Sequence, residues 1–387
     1  MDEHARVLAV IDLSAVRHNI AVLKKHQKNK DAGICAVLKA DGYGHGAVEI
    51  AKALEDERDV TAYAVATTAE AVQLKTEAQV KKPVMILGHA FPESDETLFT
   101  YDIQPSVFYE ETVRSLEETA KKLPEALRGA KLRVHIPVDT GMGRIGVTPD
   151  DAGLAFVRRV LESEALIPEG IFTHFAAADE ADEAFTAEQT ERFRAFVGRV
   201  RDELHYEIPC IHSDNSAAML MHRGGPFHME RAGIALYGMA PSSFVRENSA
   251  AAKELKPVLS WHSHVSFVKE VPAGTPVSYG RTFVTNRPSV IATVPVGYAD
   301  GYPRLLSGKG DVLIRGKRVP VAGRVCMDQF MADVTEVEGV RAGDPVTLIG
   351  RDGDACITAE ELGDLSGRFH YELVCCINKR VPREYRG

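Results

Sequence analysis

Over the first two thirds of the chain, short apolar runs alternate with segments of helical spacing. The runs at residues 34–39, 62–67, 84–87, 103–107, 132–138, 170–175, 209–213 and 229–231 are bounded by turn residues and read as buried strands. Between them, apolar residues recur three and four apart over residues 68–77, 111–122, 150–162, 187–204 and 216–221, which predicts helices. Ala47 to Leu54 carries Ile50, Ala51 and Leu54 on one face and reads the same way. Eight strand–helix units within about 230 residues have the count and length of a (β/α)8 TIM-type barrel. A doubly wound open sheet is the alternative, but no G-x-G-x-x-G follows the first strand.

After Pro241 the texture changes. Residues 242–256 are polar and irregular, a connection between domains. From Val258 onward short alternating runs are punctuated by Gly and Pro, with one helical stretch at 359–365. The expected organisation is therefore an α/β chain: a barrel over residues 1–241, then a smaller, mostly β domain over residues 242–387. Trp261, His262 and His264 alternate across one of these strands and need no functional role.

Composition narrows the function classes. Of 387 residues, 45% are hydrophobic and 26% charged, enough to fill sizeable cores. A net charge of −9, without a long Lys/Arg run, argues against a nucleic-acid partner. No stretch approaches the apolar length of a membrane span, and the start, MDEHARVLAVIDLS, has no long apolar signal region. The six cysteines, at 35, 210, 326, 356, 375 and 376, show no metal-ligand spacing and mostly sit in apolar runs. They read as reduced residues of a cytoplasmic protein without a metal.

A barrel gathers its chemistry at the C-terminal ends of its strands. There the first strand delivers Lys39, followed by Gly42-Tyr43-Gly44-His45-Gly46. A lysine at that place either snorkels to solvent or is desolvated into a nucleophile. Asp139 to Arg144 follow the fifth strand, and His174 ends the sixth. Ser216 follows the seventh, and Arg231, Gly233 and Ile234 the eighth. Loops after strands seven and eight of a barrel commonly hold a phosphate. Taken singly, Ser216 reads equally as a helix N-cap and His174 as a hydrogen-bonded core histidine. A lysine facing a phosphate cradle points to pyridoxal phosphate, which needs a Schiff-base amine and an anchored phosphate.

Nine stretches then make the sequence resemble the alanine racemase family over nearly its whole length. They are AVLKADGYGHG (36–46), DTGMGRIG (139–146), THFAAADE (173–180), HSDNSAA (212–218), ERAGIALYG (230–238), VSYGRTF (277–283), PVGYADGYPR (295–304), GRVCMDQ (323–329) and YELVCCINKRVPR (371–383). The resemblance implies a pyridoxal-phosphate barrel followed by a β domain, working as a head-to-tail homodimer whose sites take residues from both chains. By position, Lys39 matches the lysine holding the cofactor. Tyr43, Ser216, Gly233, Ile234 and Tyr371 match phosphate-binding positions. His174 matches the residue beside the cofactor ring, and Arg231 an arginine bonded to the pyridine nitrogen. Tyr279 matches a second catalytic base supplied by the partner, and Met327 a partner residue binding substrate through its backbone. Arg144 belongs to the substrate side, and Asp179, Tyr298 and Tyr371 match positions lining the entrance.

The implied reaction interconverts L- and D-alanine, supplying D-alanine for the cell wall, with Lys39 serving the D-side and Tyr279 the L-side. Two bases suit the chemistry, because racemisation removes a proton from one face of Cα and returns it to the other. A racemase for another small amino acid such as serine is the alternative. A decarboxylase is disfavoured because Arg231 stands where an acid is expected at the pyridine nitrogen. A non-catalytic cofactor carrier would have no need of Tyr279. One position departs from the family. Pro137 replaces a lysine, often carbamylated, that orients the arginine at 144, and proline can carry no carbamate. A bound anion such as chloride beside Arg144 is the expected substitute. An anomalous-scattering map showing only water or a protein carboxylate there would remove that expectation.

Overall fold

The computed structural model describes residues 6–387. It falls into two compact units that interleave along the chain. One holds Ala15–Gly42 and Ala47–Lys256. The other holds the stretch ending at Ser14, the insertion Tyr43–Gly46, and Pro257–Gly387.

The first strand, β1 (Val7–Asp12), belongs to the second of these units. It pairs antiparallel with Leu259–His264 and parallel with Arg383–Arg386. The barrel consists of β2 (Gly33–Val37), β3 (Val60–Val65), β4 (Val84–His89), β5 (Ile103–Ser106), β6 (Leu132–Pro137), β7 (Leu166–Phe172), β8 (Cys210–His212) and β9 (Met229–Ala232). These eight close into one parallel barrel, β9 pairing back onto β2. All eight expected strands are present. The boundaries moved by a few residues, as strand ends do where burial rather than propensity defines them. The sixth barrel strand ends at Phe172, so His174 lies two residues beyond it, in the following loop, not within the strand. Residues 242–256 are no linker: they form helices Ser243–Asn248 and Ala250–Glu254 within the barrel unit. Ser242 and Ser249 cap them by accepting from the Val245 and Ala252 amides.

One carboxylate inside the barrel unit is held at a cost. Glu230 on β9 is buried, and desolvation, with Asp214 adding repulsion, pushes its pKa up to about 7. It accepts from Gln27 Nε2 at 3.1 Å, while the Gln27 Oε1 is buried without a partner among the described residues. A protonated Glu230 could donate to that oxygen. Because its folded pKa lies above the unfolded value, the unfolded chain loses this proton first as pH rises. The stabilisation is complete below about pH 4.5 and fades through pH 7. Glu230→Gln, which always carries the donor, should remove this slope. Urea denaturation from pH 5 to 8 should show wild type losing on the order of 2 kcal/mol relative to the variant. Parallel curves would contradict it.

In the other unit, a seven-stranded sheet runs Lys317–Pro320, Asp311–Ile314, Pro345–Asp352, Leu259–His264, β1, Arg383–Arg386, with Ala355–Ile357 paired to Pro345–Asp352. Phe267–Val271, Ser289–Val294 and Phe330–Asp333 form a second sheet. Among the described residues after Pro257 the unit is mostly β, yet it carries two α-helices rather than one, Ala359–Ser366 and the six-residue His370–Cys375, besides short 3-10 turns. Trp261 is buried in its core, with His262 and His264 half-buried on the opposite face of the strand. No helix among the described residues is long and apolar enough to cross a membrane.

Candidate active site

The barrel unit carries eight of the expected residues at the C-terminal ends of its strands or in the loops that follow them. Lys39 leaves β2 through a left-handed turn in which Ala40, Asp41 and Gly42 have φ of 53°, 53° and 61°. L-residues take that conformation at a cost, so the surroundings must impose it. They do: Gly42 donates to Leu38 O (2.8 Å), Asp41 accepts from the Ala47 amide (2.9 Å), and Ala40 N–H donates to Glu70 (2.7 Å). Glu70 also closes the capping box of helix Thr68–Thr76. The lysine is therefore held from both sides by fixed backbone.

Ser216 is buried at the start of helix Ser216–Met221, but the N-cap is Asn215, whose side chain accepts from Ala218. The Ser216 hydroxyl instead receives Gly233 N–H at 2.9 Å and Ala235 N–H at 3.3 Å. Ser216, Gly233 and Ile234 thus sit together where β8 and β9 end, a set of hydroxyl and backbone N–H groups suited to phosphate oxygens.

Arg231 is buried on β9, and burial lowers its pKa to about 10, which leaves it cationic at neutral pH. One terminal nitrogen donates to Thr173 O (2.8 Å) and Ser213 O (2.7 Å), and the other faces His212 Nδ1 at 2.8 Å. His174 Nδ1 lies 3.4 Å from Arg231. Burial first, then the charges of Arg231, Arg144 and Lys39, hold His174 well below the ordinary imidazole range, so it is neutral. These cations thus share one region of the barrel mouth.

Arg144 is exposed and makes no ion pair among the described residues. With Pro137, Asp139, Met142, Phe172, Thr173 and His174 it borders a gap of ≈ 10 Å³, at the lower limit for one water. Asp139 does not reach out to it, because its Oδ1 accepts from the Gly141 and Gly143 amides (both 3.0 Å). Asp179 is half-buried in the loop after β7, and its carbonyl accepts from Ser242.

The other unit holds Tyr43, Tyr279, Tyr298, Met327 and Tyr371. Tyr43 is buried, with its ring edge-on to Tyr371 at 6.0 Å, and burial pushes its phenol well up. Tyr371 stacks on Phe369 at 4.3 Å. The glycines around Tyr43 have a packing reason. A Cβ on Gly44 would lie 2.3 Å from Val374 O, and one on Gly46 only 1.9 Å from the Tyr385 hydroxyl. Tyr279 is 69% exposed in the turn joining Pro276–Val277 to Phe283–Val284, between Ser278 (φ 67°) and Gly280 (φ 72°). The Ser278 hydroxyl locks that turn by donating to Arg324 O at 2.6 Å. Tyr279, Cys326 and Met327 line one open pocket of ≈ 470 Å³. Tyr298 joins them through backbone: its N–H donates to Cys326 O, and the Ala299 N–H to Met327 O.

Sequence reasoning missed the residue that anchors this corner. Asp300, fully buried, accepts from Arg6 (2.5 Å), Arg380 (2.7 Å) and the Gly297 amide (2.9 Å), and Arg380 also reaches Asp328 beside Met327. It also missed the buried polar set Gln104, His135 and His212 below Arg231. The signal available was a polar side chain inside each otherwise apolar strand, which must find a partner.

The fold and donor sets define a barrel protein with a cationic, phosphate-suited mouth and a β-rich second unit bearing an exposed tyrosine. Residues 11–241 match the family model for the alanine racemase N-terminal domain, and residues 258–385 the model for its C-terminal domain. The chain belongs to the alanine racemase family. It is 46% identical over 379 residues to the alanine racemase of Halothermothrix orenii, covering 98% of this chain and 96% of that one. The alanine racemase of Methanococcus maripaludis is 41% identical, with 98% of each chain covered. Among solved structures, alanine racemase from E. faecalis superposes with a TM-score of 0.90 at 38% identity, covering 99% of both chains. That of Bacillus anthracis with bound L-Ala-P gives 0.89 at 36% identity, covering 99% of this chain and 96% of that one.

Proposed function

We propose that the chain is a pyridoxal-phosphate-dependent racemase of alanine, working as a homodimer in the cytoplasm and supplying D-alanine to cell-wall synthesis. The observation that carries this reading is a lysine held rigidly at the end of the first barrel strand, in a unit that also gathers Ser216, Gly233 and Ile234. Those groups fit the cofactor: a primary amine for the aldehyde, and a hydroxyl with backbone N–H groups for the phosphate. Tyr43 and Tyr371 are the further phosphate ligands in this reading. Lys39 would hold pyridoxal phosphate at rest, and once the substrate amine takes the place of Lys39 the group would supply an electron sink that makes the Cα proton acidic.

The protein's own residues do the rest. Lys39, displaced from the cofactor by substrate, moves the proton on the D-side. The partner subunit's Tyr279 moves it on the L-side, and its exposure in this chain suits a residue that serves another copy. Arg231 offers N–H only and stays charged at pH 7, so it cannot leave a proton on the pyridine nitrogen. That makes a weaker electron sink than a carboxylate partner would, and favours return of the proton over transamination. Neutral His174 lies beside the ring. Arg144 and the partner subunit's Met327 position the substrate carboxylate, and Asp179, Tyr298 and Tyr371 line the entrance. Residues 1–241 supply most of the cofactor-binding groups, and residues 242–387 supply Tyr371 and the second base. The test is circular dichroism of the holoenzyme on a panel of L-amino acids. Alanine should lose its signal fastest. Faster loss with serine would point to the serine racemase reading, and no loss with any would support a carrier.

A further inference from the structure

Arg231, His212, His135 and Gln104 form a continuous hydrogen-bonded row through the barrel interior. Arg231 faces His212 Nδ1 at 2.8 Å, His212 Nε2 faces His135 Nδ1 at 3.0 Å, and His135 Nε2 faces Gln104 Oε1 at 2.9 Å. All four side chains are buried. We infer that Gln104 is a positioning residue for Arg231, whose amide oxygen terminates a one-way hydrogen-bond chain that fixes the proton on each histidine.

The direction follows from the donor inventory of neutral rings. A guanidinium has no acceptor, so His212 Nδ1 must be bare and accept. A neutral ring carries one proton, which is then on Nε2 and is donated to His135 Nδ1. The same step places the proton of His135 on Nε2, donated to Gln104. Turning the Gln104 amide over would set its NH2 against that N–H. Neutrality of both rings is supported by their surroundings. Burial and the charge of Arg231 push His135 down to about 3 and His212 well below the usual range. The other ionisable groups facing the row are Arg133, Arg144, neutral His174, the buried carboxyl of Asp214, which desolvation raises to about 6 in wild type and variants alike, and the buried thiols of Cys35 and Cys210, which are uncharged at neutral pH.

Two further features protect the row. Gly170 on β7 leaves room for it: a Cβ there would lie 2.1 Å from His135 Nδ1. Phe172 stacks on His212 with ring centroids 4.9 Å apart. The consequence is that His212 is locked as an acceptor for Arg231. A carboxylate at 104 would reverse this by favouring a second proton on His135. The new Nδ1–H would confront His212 Nε2–H, drive that proton to Nδ1, and leave Arg231 facing a donor.

The effect on turnover rests on the proposed role of Arg231; the proton positions do not. Neutron diffraction of the deuterated holoenzyme should find deuterium on Nε2 of both His135 and His212 and on neither Nδ1. Deuterium on either Nδ1 overturns the inference whatever the reaction. Gln104→Glu should lower kcat at least about tenfold at pH 6 and recover toward pH 9, where the added proton leaves, with KM little changed. Gln104→Met, which cannot raise a histidine pKa, should show no such pH dependence. Identical profiles for the two variants would reduce Gln104 to a packing residue and overturn the positioning role. If Gln104→Glu does not fold, the wild-type neutron map still decides.

Discussion

Lys39→Ala is expected to abolish racemisation, with a loss of roughly a thousandfold or more, and to remove the visible absorbance of the bound cofactor. The size follows from the double duty assigned to this amine, which holds the cofactor at rest and moves the D-side proton during turnover. No neighbour can replace it, because the other cations of the barrel mouth, Arg144 and Arg231, are guanidiniums that neither form a Schiff base nor release a proton at neutral pH. The fold should survive. Lys39 is only half-buried, and its turn is fixed by backbone and side-chain bonds from Leu38, Asp41 and Glu70. A variant with native far-ultraviolet circular dichroism and more than a tenth of wild-type activity would contradict the assignment.

Tyr279→Phe should produce a loss that is one-sided. The phenyl ring remains, and the turn that presents it is held by Ser278 on Arg324 and by Gly280, so only the hydroxyl disappears. Exchange of the Cα proton of L-alanine with deuterated water should fall about 10²–10⁴-fold, the usual contribution of one general base. Exchange from D-alanine, served by Lys39, should persist. Equal loss from both enantiomers would place Tyr279 in binding, and unchanged exchange on both sides would remove it from the mechanism.

How much of this the sequence carried depends on which forces shaped each part. The eight barrel strands were legible because most of their residues are buried, several strands on both faces, and so read as apolar runs. Helix Ser216–Met221 was read to the residue from its apolar run and start signal, although its cap proved to be Asn215, which freed Ser216 for the Gly233 and Ala235 amides. Helix His370–Cys375 is as short but escaped, because Phe369 before it offers no capping side chain and so gives no start signal. In sequence the glycines of residues 42–46 stand only as a loop following Lys39. Gly44 and Gly46 answer to close packing on Val374 and Tyr385, distant in sequence. No local pattern could place Tyr43–Gly46 or β1 with the second unit, since long-range pairing decides that. Asp300 and the Gln104–His135–His212 row share that difficulty. Each is a polar residue in an otherwise mostly apolar segment and acquires meaning only from partners tens to hundreds of positions away.

The central claim is that Lys39 and Tyr279 of different subunits act on the two faces of one substrate. Mixing Lys39→Ala subunits with Tyr279→Phe subunits, each inactive in L- to D-alanine conversion alone, tests it directly. If the bases come from different chains, every mixed dimer contains one intact site and one doubly substituted site, and random exchange should restore about a quarter of wild-type activity. If both bases come from one chain, no site in any mixture is intact, and activity that stays at the level of the separate variants would contradict the account.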